Sequence, residues 1–113
     1  MIFLSCPYTH KDPAVVQERY ETLCKVAAAI LRKGNICISP NIYGHGIAQV
    51  DSNLPVDWEF WKNFCYGFLS KCSLMYVIQL EGWEQSTGVK EEIEMAKELK
   101  IPITYFTVEE LLS

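Results

Sequence analysis

A parallel α/β sheet covered by helices on both faces is the fold that this sequence predicts, on three observations. Short apolar runs alternate with segments of helical period, in the order β-α-β-α-β-α-β-α. The strand-like runs are almost continuously apolar, as in sheets buried on both sides, and do not alternate with polar residues. The chain has 113 residues, 50% apolar and 21% charged, which is enough for one domain over 1–113 and too little for two.

Ile2 to Cys6 predicts the first strand, and Pro7 and the polar run from Thr9 to Asp12 end it. Asp12-Pro13 starts a helix. The carboxylate accepts a first-turn N–H, and proline lacks only an N–H that has no partner there. Val16, Tyr20, Leu23, Ala27, Ile30 and Leu31 recur mostly at spacings of three and four, one face of a long helix. Gly34 stops it after Arg32 and Lys33, whose charges suit the C-terminal dipole. Asn35 to Ser39 predicts a second strand, with Ile36 and Ile38 on one face, Cys37 on the other, and both faces buried. Pro40 to Pro55 reads as a long, largely polar loop with two glycines and His45, and loops of this length in small domains are usually functional or mobile. Asp57 to Lys71 is helical in pattern, with Trp58, Trp61, Phe64, Cys65 and Phe68 crowding one side. Leu74 to Leu80 is the strongest strand, and Glu81 to Gly88 is rich in turn residues. The next helix places Val89, Ile93, Ala96 and Leu99 on one face. Pro102 precedes a last strand, Ile103 to Phe106, and Thr107-x-x-Glu110 is a capping-box pattern for a short final helix.

The whole predicts a flavodoxin-like or Rossmann-like sheet of about four to five strands. Ligands of such sheets bind outside the carboxyl ends of the strands. Three loops meet there: the loop after strand one (Pro7, Tyr8), the loop after strand two (Asn41 to Val56) and the loop after strand three (Gly82 to Gly88).

Composition narrows the function classes. Fourteen acids against ten bases give a net charge of -4, which disfavours a nucleic-acid polymer or a membrane surface as partner. No segment approaches the ~20 apolar residues that span a bilayer, and Met1 to Ser5 lacks the basic region of a signal peptide, so the expected location is the cytoplasm. The five cysteines, Cys6, Cys24, Cys37, Cys65 and Cys72, form no Cys-x-x-Cys pair and read as small buried hydrophobes. His10 and His45 lack a carboxylate-rich partner motif, so no metal site is expected. The sequence holds no Walker loop, no Gly-x-Ser-x-Gly elbow and no Gly-x-Gly-x-x-Gly.

The most informative segment runs from Ser86 to Ala96. It passes from a strand end through Gly88 into a helix start, where free N–H groups and a positive dipole meet an anion. Ser86 adds a hydroxyl, which serves either as a ligand donor or as a helix N-cap. Glu92 shares a helix side with Gly88, Val89 and Ala96, so it tilts back towards the strand ends, whereas Glu91 and Glu94 turn to solvent. An early-helix acid is also favoured by the dipole alone. At the end of strand one, Cys6, Pro7 and Tyr8 edge the same site, with Tyr8 able to hydrogen-bond a carboxylate. Trp83 stands in the loop beside the anion site, while Trp58 and Trp61 read as core or oligomer contacts.

Ser5-Cys6-Pro7-Tyr8, Gly34 with Ser39-Pro40, and Gly82-Trp83-x-x-Ser86-x-Gly88-Val89-x-x-Glu92-Ile93-x-x-Ala96 together resemble the nucleoside 2-deoxyribosyltransferase-like superfamily. Within it, the chain resembles the branch known as DUF1937, over about residues 2 to 106. The resemblance implies cleavage of a nucleoside or nucleotide N-glycosidic bond, by hydrolysis or deoxyribosyl transfer and without a cofactor. A glutamate at the position of Glu92 attacks the anomeric carbon, as in a retaining glycosidase. A tyrosine at the position of Tyr8 holds that carboxylate in its attacking rotamer. Serine at the position of Ser86 goes with nucleoside 5′-monophosphates, where members acting on free nucleosides resemble one another in carrying aspartate. Cys6, Pro7, His45, Trp83, Ser86, Gly88 and Val89 are the implied substrate contacts, and a homo-oligomer is the implied assembly.

One position departs from the pattern. Many members carry an aspartate in the helix before strand three, where this sequence has Cys65. Asp57 lies two helical turns earlier, roughly 12 Å along the axis at about 1.5 Å per residue. That departure leaves open a second class, a binding module that holds a nucleotide without turnover. A phosphoribohydrolase is a third, and the absence of its glycine-doublet loop counts against it.

Overall fold

A computed structural model describes residues 1–113. Strands β1 (Ile2–Ser5), β2 (Cys37–Ile38), β3 (Leu74–Ile78) and β4 (Ile103–Phe106) pair in parallel in the order β2-β1-β3-β4. The helices are α1 (Pro13–Arg32), α2 (Pro40–Val50), α3 (Trp58–Leu69), α4 (Thr87–Glu98) and α5 (Val108–Leu112), with a single 3-10 turn at Trp83–Gln85. This is a flavodoxin-like α/β arrangement with four strands. β1 has β2 on one side and β3 on the other, so the order of strands reverses beside it, which opens a crevice at the carboxyl ends of β1 and β3. No helix is long and apolar enough to cross a membrane.

Strand alternation divides the core into two layers. Ile2, Leu4, Cys6 and Ile78 meet Leu23, Val26 and Ile30 of α1 and Leu111 of α5. Phe3, Met75 and Val77 meet Cys65 and Leu69 of α3 and Val89 and Ala96 of α4. Each of these large apolar side chains contributes about 1.5–3 kcal/mol on leaving water. Ser5, two residues after Phe3, falls on the α3–α4 side. The side chain of Asp12 caps α1 by accepting from Ala14 N–H at 2.9 Å. Gly34 follows that helix at φ +88°, and Thr107 and Glu110 close the capping box of α5. On α1 the buried stripe is Leu23, Val26, Ala29 and Ile30, while Leu31 is exposed, because at 100° per residue it lies well off that face.

Two expectations are corrected. β2 is a two-residue edge strand, with Ile36 68% exposed and Cys37 and Ile38 half-buried, and not a strand buried on both faces. It pairs only with β1, through Ile2↔Cys37 and Phe3↔Ile38, so one side of it has no neighbouring strand. Pro40 to Val50, expected as loop, is the helix α2. Ser39 caps it by accepting from Ile42 N–H at 3.2 Å, and Pro40 opens its first turn. Gly44 and Gly46 hid this helix in the sequence, because glycine is the weakest helix former after proline.

Gly44 has a packing reason. A Cβ there falls 2.9 Å from the Trp61 ring, whose indole N–H is held by Pro55 O at 2.8 Å. Around Gly46 there is nothing within 4 Å of a Cβ. The two positions therefore respond oppositely. Gly46→Ala stabilises the fold by about 0.5–1 kcal/mol. Gly44→Ala destabilises it by about 1–3 kcal/mol, despite the same gain in helix propensity, because it overpacks the α2–α3 contact. Urea denaturation midpoints of the two variants check the signs.

Candidate functional site

The crevice at the carboxyl ends of β1 and β3 is a cavity of about 550 Å³. All three expected loops reach it. Cys6, Tyr8 and Thr9 come from the end of β1; Asn41, Gly44 and His45 from α2; Gln85 from the 3-10 turn, and Ser86 to Gly88 from the cap and start of α4. α3 supplies a further wall: Cys65, at the position where the resemblance implies a site residue, and, beyond what the sequence suggested, Trp58 and Trp61, with Asp57 at its N-cap.

Glu92 is the buried carboxyl of the cavity. It is 6% exposed, on the α4 face that carries Val89 and Ala96, and it lines the cavity. Ser5 Oγ donates to Glu92 Oε1 at 2.7 Å, and the Cys65 thiol lies beside the same carboxyl. No cation pairs with it; the protein's two ion pairs are both on the surface. Burial without a counter-charge pushes its pKa from 4.5 up to about 7, against the hydrogen bonds from Ser5 and Cys65. The neighbouring thiols stay protonated: burial pushes Cys6 up to about 12, and Cys65 further, with the Glu92 charge adding to it. Cys65 is thus a neutral donor where the resembled superfamily has a second carboxylate.

Ser86 is the N-cap of α4, its oxygen accepting from Val89 N–H at 3.2 Å. The two roles considered for it are compatible, because capping uses a lone pair and leaves the hydroxyl proton to a ligand. The first-turn N–H groups of a helix have no intrahelical partner, so those around Thr87 and Gly88 open on the cavity. A Cβ on Gly88 meets only Ser86 Oγ and the Trp58 ring, each at 3.9 Å, so the backbone there is left open to a ligand's approach.

Tyr8 does not hold Glu92. Its hydroxyl bonds His45 Nδ1 at 2.5 Å, and the His45 ring is stacked on Tyr20 at 3.8 Å. Burial raises the Tyr8 phenol and lowers His45, so a neutral phenol donates to a neutral imidazole and the ring proton sits on Nε2. Ser5 makes the contact that resemblance assigned to tyrosine. Its signal was a lone polar side chain in an apolar strand, in phase with Phe3 and so facing α4.

Further positions also differ from expectation. Trp83 lies outside the cavity, packed on the α3–α4 layer with Tyr105 5.7 Å away, because the 3-10 turn carries it over the sheet. Val89 and Pro7 are buried in the core and do not line the cavity. Trp58, expected as a core contact, does pack on the α3–α4 layer, and together with Trp61 it also forms an aromatic wall of the cavity. Asp57, set aside on its distance along the helix, lines the same cavity, whose wall runs along α3.

Glu92 links stability to pH. The folded carboxyl keeps its proton up to about pH 7, whereas the unfolded one loses it near 4.5. The folded state binds the extra proton between those values and loses stability as pH rises through them, by at most about 3 kcal/mol. Glu92→Gln keeps an acceptor for Ser5 and removes this dependence. Its melting temperature should match wild type at pH 4 and exceed it by several degrees at pH 8. An equal difference at both pH values would show that the carboxyl is not buried in its charged form.

A search of curated proteins finds no match to this chain. The family model of the domain of unknown function DUF1937 matches residues 1–108. With the parallel sheet, the switch-point cavity and nearly the full length accounted for, the chain belongs to the DUF1937 family.

Proposed function

We propose that this protein cleaves the N-glycosidic bond of a nucleoside 5′-monophosphate or nucleoside, as the nucleoside 2-deoxyribosyltransferase-like superfamily does, with Glu92 as nucleophile. The observation that carries the proposal is a buried carboxyl, held by Ser5 at 2.7 Å, lining a cavity one turn from the open N-terminus of α4. The ionised carboxylate attacks C1′ of the sugar. The C1′–N bond breaks, its electron pair leaves with the base, and a glycosyl ester forms on Glu92. Water or a second base then attacks C1′ and returns the carboxylate. Ser5 holds one carboxylate oxygen, which leaves the other to react. Trp58 and Trp61 offer faces to the base, and His45 donates to it from Nε2. Ser86 and the α4 N–H groups receive the 5′-phosphate, where a carboxylate would repel it.

The nearest alternative is a nucleotide-binding module, favoured by Cys65, a neutral thiol at the position of the superfamily's aspartate. The expected assembly is a homo-oligomer. Tyr43, Val56 and Phe60 leave exposed apolar surface on and beside α2 and α3, suited to a second copy. Light scattering should give a mass above 13.0 kDa. The five free cysteines suit a reducing compartment such as the cytoplasm.

Base release, followed by chromatography over a panel of nucleosides and 5′-monophosphates with and without an acceptor base, tests the activity. Its rate should rise with pH through about 7 as Glu92 ionises. Glu92→Gln should lose more than about 10³-fold in kcat. Ser5→Ala should lose about 10- to 100-fold and move the pH limb upward, since a hydrogen bond to a charged group contributes about 1.5–3 kcal/mol. Saturable binding with no base released would assign the protein to the binding class.

A further inference from the structure

A second cavity, of about 610 Å³, lies on the far side of Thr9, Gln85 and Ser86, which line both spaces. A phosphate at Ser86 therefore lies at the border of the two spaces, within reach of a group seated in the second. The two differ in charge. The Glu92 cavity is lined by two carboxylates, Asp57 and Glu92, and by no lysine or arginine, so a phosphate there meets only neutral donors. The second cavity holds Arg19, the sole lysine or arginine lining either space.

Arg19 is fixed in place. Its Nη1 donates to Thr9 O at 3.0 Å and its Nη2 to Glu81 O at 3.1 Å, tying the loop after β1 to the loop after β3. Gly82 keeps the space for it: φ is +90°, and a Cβ would fall 2.9 Å from Nη2. Two of the five guanidinium N–H groups are used by these carbonyls, which leaves others for a phosphoryl oxygen. His10 adds a donor, because its Nδ1 accepts from Asp12 N–H at 3.0 Å and the ring proton is thereby on Nε2. Thr22 adds a hydroxyl. Glu18 and Glu81 also line this cavity, both exposed. They disfavour a terminal phosphate dianion more than an internal phosphoryl group with a single charge. The cavity is also too large for one phosphate, and nine of its eleven lining residues are not hydrophobic.

We propose, resting on the glycosidic reading above, that the preferred substrate is a pyrophosphate-linked nucleotide. Its nucleoside would sit over Glu92, its first phosphate at Ser86, its second beside Arg19, and its distal sugar or similar polar group in the second cavity. The bond broken is the same C1′–N bond, so the atom balance of the reaction is unchanged.

The test compares ADP-ribose, UDP-glucose, GDP-mannose and dTDP-glucose with the 5′-monophosphate and 5′-diphosphate of the same nucleoside. Base release gives kcat/KM; where no base is released, calorimetry gives Kd. For the preferred base, the pyrophosphate ester should exceed the monophosphate at least tenfold, with the free diphosphate between them. Arg19→Gln, and separately Thr22→Trp, which fills the cavity and keeps the guanidinium, should bring that ratio towards one. A wild-type ratio of one or below overturns the inference whatever the variants do, as does a ratio that neither variant moves. Glu92-dependent release from monophosphates at such a ratio overturns this inference alone. No release and no binding with any probe overturns the glycosidic reading as well.

Discussion

The hydrogen bond from Ser5 to Glu92 joins the first strand to the fourth helix across 87 positions of sequence, and the rest of the site is arranged around it. A carboxyl group taken out of water without a cation is held at a cost in free energy. The fold meets that cost with two neutral donors, Ser5 and Cys65, and with a cavity that gives the group an outlet. Both donors depend on the sheet. Ser5 faces α4 because strand side chains alternate and Phe3 is buried against α3 and α4. Cys65 is buried in the same layer. Moving the phase of β1 by one residue would bring Leu4 or Cys6 to that side and leave the carboxyl without its hydroxyl.

The cavity has two unlike halves because different elements build them. Helix α3 brings Trp58 and Trp61, large flat surfaces suited to a planar ligand. The start of α4 brings backbone N–H groups and the Ser86 hydroxyl, suited to an anion. Glu92 is one turn into α4, between the two. This geometry follows from the strand order: β1 and β3 are neighbours, and the segments leaving their carboxyl ends diverge to opposite sides of the crevice.

Most of the fold was legible because its signals were local. The Asp12-Pro13 start of α1, the apolar run of β3 and the capping box of α5 each rest on contacts within a few residues. The burial of Glu92 was legible for the same reason, since helical phase puts it with Val89 and Ala96. What stayed hidden depended on distant partners. Gly44 reads as a helix breaker until the Trp61 ring is seen against it. Tyr8 reads as a partner for Glu92 until α2 brings His45 to its hydroxyl. Trp83 packs away from the cavity and Trp58 reaches it from the core layer, because a tryptophan's direction depends on turns and helix placement that spacing does not encode. The family match covers residues 1–108 and leaves beyond it only the short α5 after its first residue, and Ser113.

Helix α2 has one buried residue, Pro40, and two glycines, and its outer end at Val50 is 92% exposed. It is attached by Asn41 to Cys6 O, Ile42 on the α1 layer, Tyr43 stacked on Phe64, Gly44 against Trp61, and His45 to Tyr8 and Tyr20. Such an element opens at a small fraction of the free energy that global unfolding needs. The sheet, Ser5 and Glu92 belong to the other extreme, packed in the layers that open last. The protein thus combines a carboxyl packed in its core layer with a cavity wall that has little burial of its own. The cavity is therefore bordered by elements of very different burial, with Glu92 on a packed helix face and His45 on the more exposed α2.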